Sequence, residues 1–272
     1  MTKLTKENYA TNHDFLSFTR FSKFLTCEAA AAVNYRTPPT TALLLGSYID
    51  AFFSEEIEEF KANNPDIFKK DGTLKSEFSA ADEAIKRIQS DVVMSYFLSG
   101  DKQVIMQGEI NGVPFKIKMD SYKEGEYIAD LKYMKDFSPV WIRGEKLNFI
   151  EAYNYDVEMA LFQEIVYQKT GKKLPTYIVG ITKETPSDVG VFQIPQNQLD
   201  VALDIIKSRL PRIKGILKGK IQPHRCEECE YCRKTKKARI LNYVYAGMNG
   251  NQLRESGIES DDPLLKIIKK EE

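Results

Sequence analysis

Between Gln103 and Lys132 the chain alternates apolar and polar residues around two turn signals, and this pattern constrains the fold more than any other feature of the sequence. Val104-Ile105-Met106 leads to Glu109-Ile110 and then to Asn111-Gly112, a dipeptide suited to the tight turn of a two-residue hairpin. Val113, Phe115, Ile117 and Met119 then alternate with Pro114, Lys116, Lys118 and Asp120. After a turn at Glu124-Gly125, Tyr127, Ala129 and Leu131 alternate with Ile128, Asp130 and Lys132. Three successive antiparallel strands are predicted.

Around this meander the spacing predicts a helix over 14–35 with Ser17 as its N-cap. A second helix starts at Thr40 or Thr41, and others cover 78–98, 147–170 and 197–217. Strands are expected at 176–182 and 189–194, and a loop at 61–77, where Asn63-Asn64-Pro65-Asp66 and Asp71-Gly72 fall. Gly46, inside the second helix, points to close packing. The expected fold class is α/β, a mixed β-sheet core flanked by helices in a single domain over residues 1–240, with its core at about 40–200 and a charged C-terminal tail over 241–272.

A chain of 272 residues, 42% hydrophobic and 29% charged, has enough apolar material for a packed core. No apolar run approaches the roughly 20 residues of a membrane span, so no membrane partner is expected. MTKLTKENYATNHDF lacks the apolar core of a secretory signal, which makes a cytoplasmic protein the expectation. Net charge is zero, yet Ile206–Arg239 carries twelve Lys/Arg against three Glu, leaving the remainder acidic. Such a segment reads either as a phosphate-attracting surface or as a solvated helix face.

The chemistry-bearing pattern is Asp120-x9-Asp130-x-Lys132. Alternation puts Asp130 and Lys132 on one strand face and turns Leu131 to the core. A hairpin would bring Asp120 back beside Asp130. Two carboxylates a few ångströms apart repel unless a cation lies between them. Mg²⁺ prefers oxygen ligands and acidifies a bound water, and a nearby lysine would orient that water.

In this context the stretch resembles the core of the PD-(D/E)xK nuclease superfamily, and further matches resemble its RecB/RecE-like branch, that of phage- and prophage-borne RecE-type exonucleases. Ser17-Phe18-Thr19-Arg20-Phe21 through Leu25-Thr26-Cys27 is similar to the branch's N-terminal helix. Leu45–Ala51 is similar to its G-x-x-x-H helix, with Asp50 replacing the histidine. Glu109 lies on the strand before the motif, where the family often has a glutamate. Tyr155, Glu158, Ala160 and Phe162 align with Y-x-x-Q-x-A-x-Y, with Glu158 for glutamine and Phe162 for tyrosine. Gln163-x3-Tyr167 is the alternative registration on another helix face, and the proline of the family name is absent, Met119 standing before Asp120.

The resemblance implies a restriction-endonuclease-like fold and an exodeoxyribonuclease that uses Mg²⁺ or Mn²⁺ in two-metal-like phosphodiester hydrolysis. It implies metal ligands at Asp50, Glu109, Asp120, Asp130 and the Leu131 carbonyl, with Asp120, Asp130, Lys132 and Glu158 in the catalytic set. It further implies 5′→3′ degradation of linear double-stranded DNA for phage-type recombination, a single-strand-annealing recombinase as partner, and a homo-oligomeric ring. A single-strand or flap nuclease of the same fold, or a DNA-end-binding module that has lost catalysis, are the competing readings. Trp141, beside Pro139, reads as a packing residue in preference to a wedge at a DNA end.

The cysteines are Cys27, Cys226, Cys229 and Cys232. Three thiols at Cys-x2-Cys-x2-Cys suggest a metal rather than disulfides. Their spacing matches the first three thiolates of a ferredoxin-type loop; a [4Fe–4S] cluster needs a fourth, for which Cys27 is the candidate. Iron–sulfur members of the RecB-like branch show the same one-plus-three staple. Zn²⁺, with His224 as a further donor, and free thiols are the alternatives. Arg233, Lys234, Lys236 and Lys237, just after the cysteines, are the candidate DNA-binding residues.

Overall fold

The computed structural model describes residues 4–142, 144–237, 248 and 252. The chain divides into two compact units: one comprises the chain up to Phe18 together with Pro38–Leu210, the other Thr19–Thr37 together with the chain from Pro211 onward. The expected tail over 241–272 lies outside the described residues, apart from 248 and 252.

The chain opens with α1 (Lys6–Tyr9) and a two-residue strand, β1 (Leu16–Ser17), then α2 (Phe18–Thr26) and α3 (Glu28–Ala32). The single helix expected over 14–35 is therefore three elements. Leu16 and Ser17 pair in parallel with Phe115 and Lys116, so Ser17 ends a strand, and α2 starts at the next residue, Phe18, which leaves Ser17 at the N-terminal boundary where its cap role was expected. Cys27 is extended at φ −151° and ψ 102°, which breaks the helix. The Thr26 hydroxyl donates to the carbonyls of Ser22 and Lys23 at the end of α2.

Next come α4 (Thr41–Phe53), α5 (Ile57–Asn63), α6 (Ser76–Gln89) and α7 (Val92–Phe97). Thr40 caps α4, its hydroxyl accepting from the Leu43 N–H at 3.3 Å. Asp91 separates α6 from α7 by accepting the N–H groups of Val93 and Met94. The loop expected over 61–77 is shortened by the end of α5 and closed by a bridge between Phe68 and Leu74.

The sheet consists of β1, β2 (Asp101–Ile110), β3 (Val113–Lys123), β4 (Tyr127–Met134), β7 (Thr176–Thr182) and β8 (Val189–Ile194). The β2–β3 hairpin turns at Asn111-Gly112, where both residues have positive φ (51° and 72°), as a primed turn requires. Between β4 and β7 a small hairpin of β5 (Val140–Ile142) and β6 (Glu145–Leu147) leads into α8 (Phe149–Ala152) and α9 (Tyr155–Thr170). The helix expected over 147–170 is split at Asn154, which adopts φ +58°. The short hairpin had no legible alternation, only three residues on each strand. α10 (Gln196–Leu217) follows β8, and α11 (Glu230–Lys234) lies in the second unit.

The order is β1-β3-β4-β7-β8 with β2 on the other edge of β3, and β4–β7 runs parallel among mostly antiparallel pairs. This is the α/β class with a mixed, helix-flanked sheet that the sequence pattern predicts. On one face Tyr48 and Ile49 of α4 and Ile85 and Ile88 of α6 form a core with Tyr127, Ala129 and Leu131 of β4 and Val179 and Ile181 of β7. α9 packs against β2, β3 and β7, and its Met159, Leu161 and Ile165 are fully buried.

Gly100, at the entry to β2, donates its N–H to Ser121 Oγ at 3.0 Å. A Cβ there would lie 2.7 Å from the Tyr122 carbonyl oxygen and 2.8 Å from its carbon, and backbone in a paired strand cannot swing aside. Gly100→Ala is expected to destabilise the protein by about 1–3 kcal/mol, read as a lowered urea midpoint by circular dichroism. A midpoint equal to the wild type would mean that β2 gives way without cost.

Candidate active site

β3 has one continuous partner and two partial ones. β2 pairs along nearly its whole length, while the other edge is shared by β1 at Phe115 and Lys116 and by β4 at Ser121, Tyr122 and Lys123. β3 and β4 therefore separate just beyond the Ser121–Ala129 pair, and Asp120 and Asp130 sit where they part. In the gap the Leu131 N–H, without a β3 carbonyl to meet, donates to Asp120 Oδ2 at 3.0 Å. On the opposite edge Gln103 adopts φ +51° and interrupts the β2–β3 pairing, without shifting its register, between Lys102–Ser121 and Val104–Met119. Its Nε2 donates to Asp120 Oδ1 at 3.1 Å, so both oxygens of Asp120 are held. Gln103 was not singled out from the sequence, and no spacing signal marks it.

Lys132 is the positive centre. Its Nζ lies 2.6 Å from Asp130 Oδ2 and 2.9 Å from Glu158 Oε2, and 5.0 Å from the centre of the Tyr155 ring. Asp130 is 3% exposed, and its Oδ2 receives no hydrogen bond of good geometry despite the ion-pair contact. The structure thus puts Tyr155 and Glu158 of α9 against the lysine. The other face of α9 is engaged elsewhere: Gln163 donates to the Leu174 carbonyl and exchanges hydrogen bonds with Gln196, Asp156 accepts from Gln198, and Tyr167 is exposed.

Asp50, on α4, belongs to the same electrostatic group. Burial first, then the Asp130 charge, pushes its carboxyl up to about 7, against the pull of Lys132 and Lys118. Burial, then Asp130 and Asp50, raises Asp120 well above the usual carboxylate range. Glu158 is raised by burial, with Lys132 opposing. Burial would lower Lys132, but Asp130, Glu158 and Asp120 together hold it well above the ordinary lysine value. Asp50 and Asp120 line an open cleft of about 560 Å³ with Ser47, Gln103 and Lys118. A Cβ on Gly46 would meet nothing within 4 Å, so the close packing expected there is absent.

Glu109 is not brought to this cluster. The hairpin register pairs it with Pro114, six positions before Asp120 on β3, and its backbone N–H and carbonyl bond to Gln168 of α9. Lys116, on the sheet face of Asp120, is turned to the N-terminal segment, where it donates to the carbonyls of Tyr9 and Asn12. Asp50, Asp120, Asp130 and Glu158 act on one another electrostatically in one buried region, with Lys132 as the cation among them, so oxygen donors and negative charge predominate there. That set fits a hard divalent cation such as Mg²⁺.

In the second unit, Cys27, Cys226, Cys229 and Cys232 converge, their sulfurs all within 4.8 Å of one another. Cys27 and Cys232 sulfurs are 3.5 Å apart, and the N–H groups of Cys229 and Cys232 point at the sulfurs of Cys226 and Cys229. Against the raising effect of burial, the backbone N–H groups of Cys229 and Glu228 bring the Cys226 thiol down to about 7. Burial pushes Cys232 up to about 12. His224 is not among the converging ligands; its backbone N–H and its ring both face Glu28. Arg233 donates to the Glu228 carbonyl, Lys234 pairs with Glu230 and Lys236 with Glu227. Lys237 is exposed.

A family model described as "PDDEXK-like domain of unknown function (DUF3799)" matches residues 17–235. Among solved structures, a crystal structure described as a "putative exonuclease" from Eubacterium rectale is 36% identical. It superposes with a TM-score of 0.87 and covers 91% of this chain and 100% of its own. A crystal structure of SSO0001 aligns over 82% of this chain and 96% of its own, at 10% identity and a TM-score of 0.31, too remote to carry an argument. No curated protein matches the chain.

The sign of the pH dependence follows from Asp50, which faces Asp130, Lys132, Lys118 and Glu158. Its carboxyl titrates at about 7 when folded, against about 4 in an unfolded chain, so the folded state binds the extra proton. That contribution to stability is complete below pH ~4 and is lost as the pH rises through ~7. In EDTA the thermal midpoint is expected to fall between about pH 5 and about pH 8, and Asp50→Asn to flatten the fall. Millimolar Mg²⁺ should restore the midpoint at the higher pH in the wild type but not in Asp130→Asn. A wild-type midpoint indifferent to Mg²⁺ would contradict a cation site among these carboxylates.

Proposed function

The chain belongs to the PDDEXK-like domain family, and on that premise we propose that it is a Mg²⁺-dependent exodeoxyribonuclease that degrades linear double-stranded DNA in the 5′→3′ direction. The coarser activity, that of a metal-dependent nuclease, follows from the family and from the exonuclease-like neighbour. The observation that supports hydrolysis at this site is the lysine ammonium held between Asp130 and Glu158, at the point where β3 and β4 part beside Asp120, while the direction and the duplex substrate rest on the resemblance to RecE-type exonucleases.

A bound Mg²⁺ or Mn²⁺ would acidify a water and neutralise charge on the scissile phosphate. Asp120, Asp130 and the Leu131 carbonyl would hold that ion, with Asp50 assisting from α4. Glu109 has no part in this set, because the hairpin register holds it away. The Leu131 and Gln103 hydrogen bonds fix the Asp120 carboxylate, so its orientation does not have to be organised during the reaction. Lys132, fully charged at neutral pH, donates to the attacking water and balances the charge that develops on the phosphate. Glu158 positions that ammonium and does not itself touch the substrate.

The four-cysteine cluster is a structural metal site in this reading. Two occupants are in question, a [4Fe–4S] cluster and Zn²⁺. Tetrahedral zinc with Zn–S near 2.3 Å sets its thiolates about 3.8 Å apart, and the sulfur separations of 3.5 and 3.9 Å within the cluster support a single ion of that kind. A cluster of four irons and four sulfides would need the thiols spread more widely. We take residues 1–240 as the nuclease, with Cys27 and the 226–232 loop stapled to each other within the second unit. A cytoplasmic setting in the host of a phage or prophage, a single-strand-annealing partner, a ring-shaped assembly and DNA contacts from Arg233, Lys234, Lys236 and Lys237 complete the proposal. No helix among the described residues is long and apolar enough to cross a membrane.

Digestion of 5′-labelled, 3′-labelled and circular duplex tests the activity. Mg²⁺-dependent release of mononucleotides from the 5′ label, with circular DNA intact, is the expected result. Lys132→Ala should lower the rate by about 10²–10³-fold. Linear duplex that survives at every Mg²⁺ and Mn²⁺ concentration would overturn it, and digestion restricted to single strands would favour the single-strand or flap reading.

The cysteine site is tested by anaerobic purification with analysis of zinc, iron and sulfide. One zinc per chain, lost in Cys232→Ser, is expected. Stoichiometric iron and sulfide would replace zinc by the cluster, and substoichiometric metal of every kind would remove the site.

A further inference from the structure

We propose that Trp141 and Tyr153 form a base-stacking path that receives unpaired nucleotides of a DNA strand and leads them to Lys132, with Lys146 contacting the strand's phosphates. The inference rests on the nuclease reading above and states how that site would engage its strand. Trp141 is the chain's one tryptophan and is 69% exposed, so the packing role expected from the sequence is not the one it has. It lies on β5, where its cross-strand partner in β6 is Lys146, itself exposed. Cross-strand partners present their side chains on the same face of a hairpin. An exposed indole beside an ammonium offers a nucleotide both a stacking surface and a charge for its phosphate.

The hairpin is continuous with the candidate active site. β5 packs against α8, and the residue that caps α8 at its C-terminus is Tyr153, which is 46% exposed. The left-handed turn at Asn154 then folds the chain so that the Tyr153 and Tyr155 rings lie 5.7 Å apart, tilted by 39°. Tyr155 in turn carries Lys132 Nζ over its face at 5.0 Å. Aromatic rings thus run from the exposed Tyr153 through Tyr155 to the lysine that faces Asp130 and Glu158, and the hairpin that carries Trp141 packs on the helix that Tyr153 caps. Stacking accepts every base, since each has a π-face, and suits an enzyme that must process strands of any sequence. Paired bases within a duplex have both faces covered by their neighbours, so the occupant is the frayed or single-stranded end.

Because Trp141 is the sole tryptophan, its emission reports on this path without ambiguity. The full chain is titrated in EDTA, where no strand is cut, with single-stranded DNA of roughly 12 nucleotides and with an abasic strand of the same length. The base-bearing strand is expected to quench the emission, and the abasic strand to leave it unchanged. Tyr153→Ala should raise the quenching midpoint by about 5- to 100-fold, and Tyr153→Phe should restore it. Unchanged emission, or equal quenching by the abasic strand, overturns the proposal. Digestion of labelled duplex by the same preparation separates the two readings. An active nuclease with a silent tryptophan sinks the path alone, whereas base-dependent quenching without any digestion keeps the path and sinks the nuclease.

Discussion

Lys132 lies 2.6 Å from Asp130 and 2.9 Å from Glu158, and Asp120 and Asp50 add two more carboxylates to the same interior region. Four acids around one ammonium cannot all ionise in a low-dielectric setting without a further cation. The protein meets this conflict by raising its acids: Asp50 and Asp120 hold their protons above the usual range while Lys132 keeps its charge. Removing one member of such a buried pair typically costs about 3–5 kcal/mol, because the partner charge is left uncompensated. The cluster is therefore a liability to folding, and it persists because the surrounding sheet and helices are rigid enough to hold it.

That rigidity has a specific source. A fully paired β3–β4 ladder would have used the Leu131 N–H in the sheet and left no opening for a carboxylate. Sharing one edge of β3 between β1 and β4 creates the gap, and the Asp120 side chain fills the vacant acceptor role. Gln103 does the complementary task on the β2 side through a left-handed residue in mid-strand, a strained conformation for a side chain with a Cβ. α9 supplies the outer wall, buried along most of its length, so Glu158 approaches Lys132 from a scaffold that cannot slide. The residues that do the chemistry sit at the ends of strand pairings, where the backbone can spare its hydrogen bonds.

The sheet was legible because period-two alternation and two turn signals are local. Asn111-Gly112 announces its own hairpin, and Asp130 and Lys132 share a face by strand geometry alone. What escaped depends on partners distant in sequence. Ser17 directly precedes the helix at Phe18, as its cap-like chemistry suggests, but its pairing with Lys116 in a strand has no local signal. Cys27 interrupts a helical pattern, and Asn154 does the same by entering the left-handed region. Glu109 has the right chemistry on the right strand, yet register alone puts it at the hairpin end. Gln103 carries no signal, since its role exists only where a strand pairing is interrupted. Trp141 looked like core because tryptophan usually is, and nothing local says that a three-residue strand has no core to offer.

The basic segment after residue 206 shows why a count of charges differs from a field. Twelve Lys/Arg against three Glu suggests a broad positive surface. In the structure Arg212 is bidentate to Glu28, Arg225 and Lys236 both meet Glu227, and Lys234 meets Glu230. Glu227, almost wholly buried, accepts two cations, so it organises the cysteine loop and leaves less charge for a distant phosphate. Arg225 also donates to the Cys232 carbonyl, which ties the same ion pair to the thiol cluster. Three of the segment's cations, Arg225, Lys234 and Lys236, thus meet acids of the cysteine loop itself. Any contribution it makes to nucleic-acid binding then depends on exposed cations outside those pairs, Arg209, Lys218, Lys220, Arg233 and Lys237, more than on the total, and it would weaken with salt as exposed charges do.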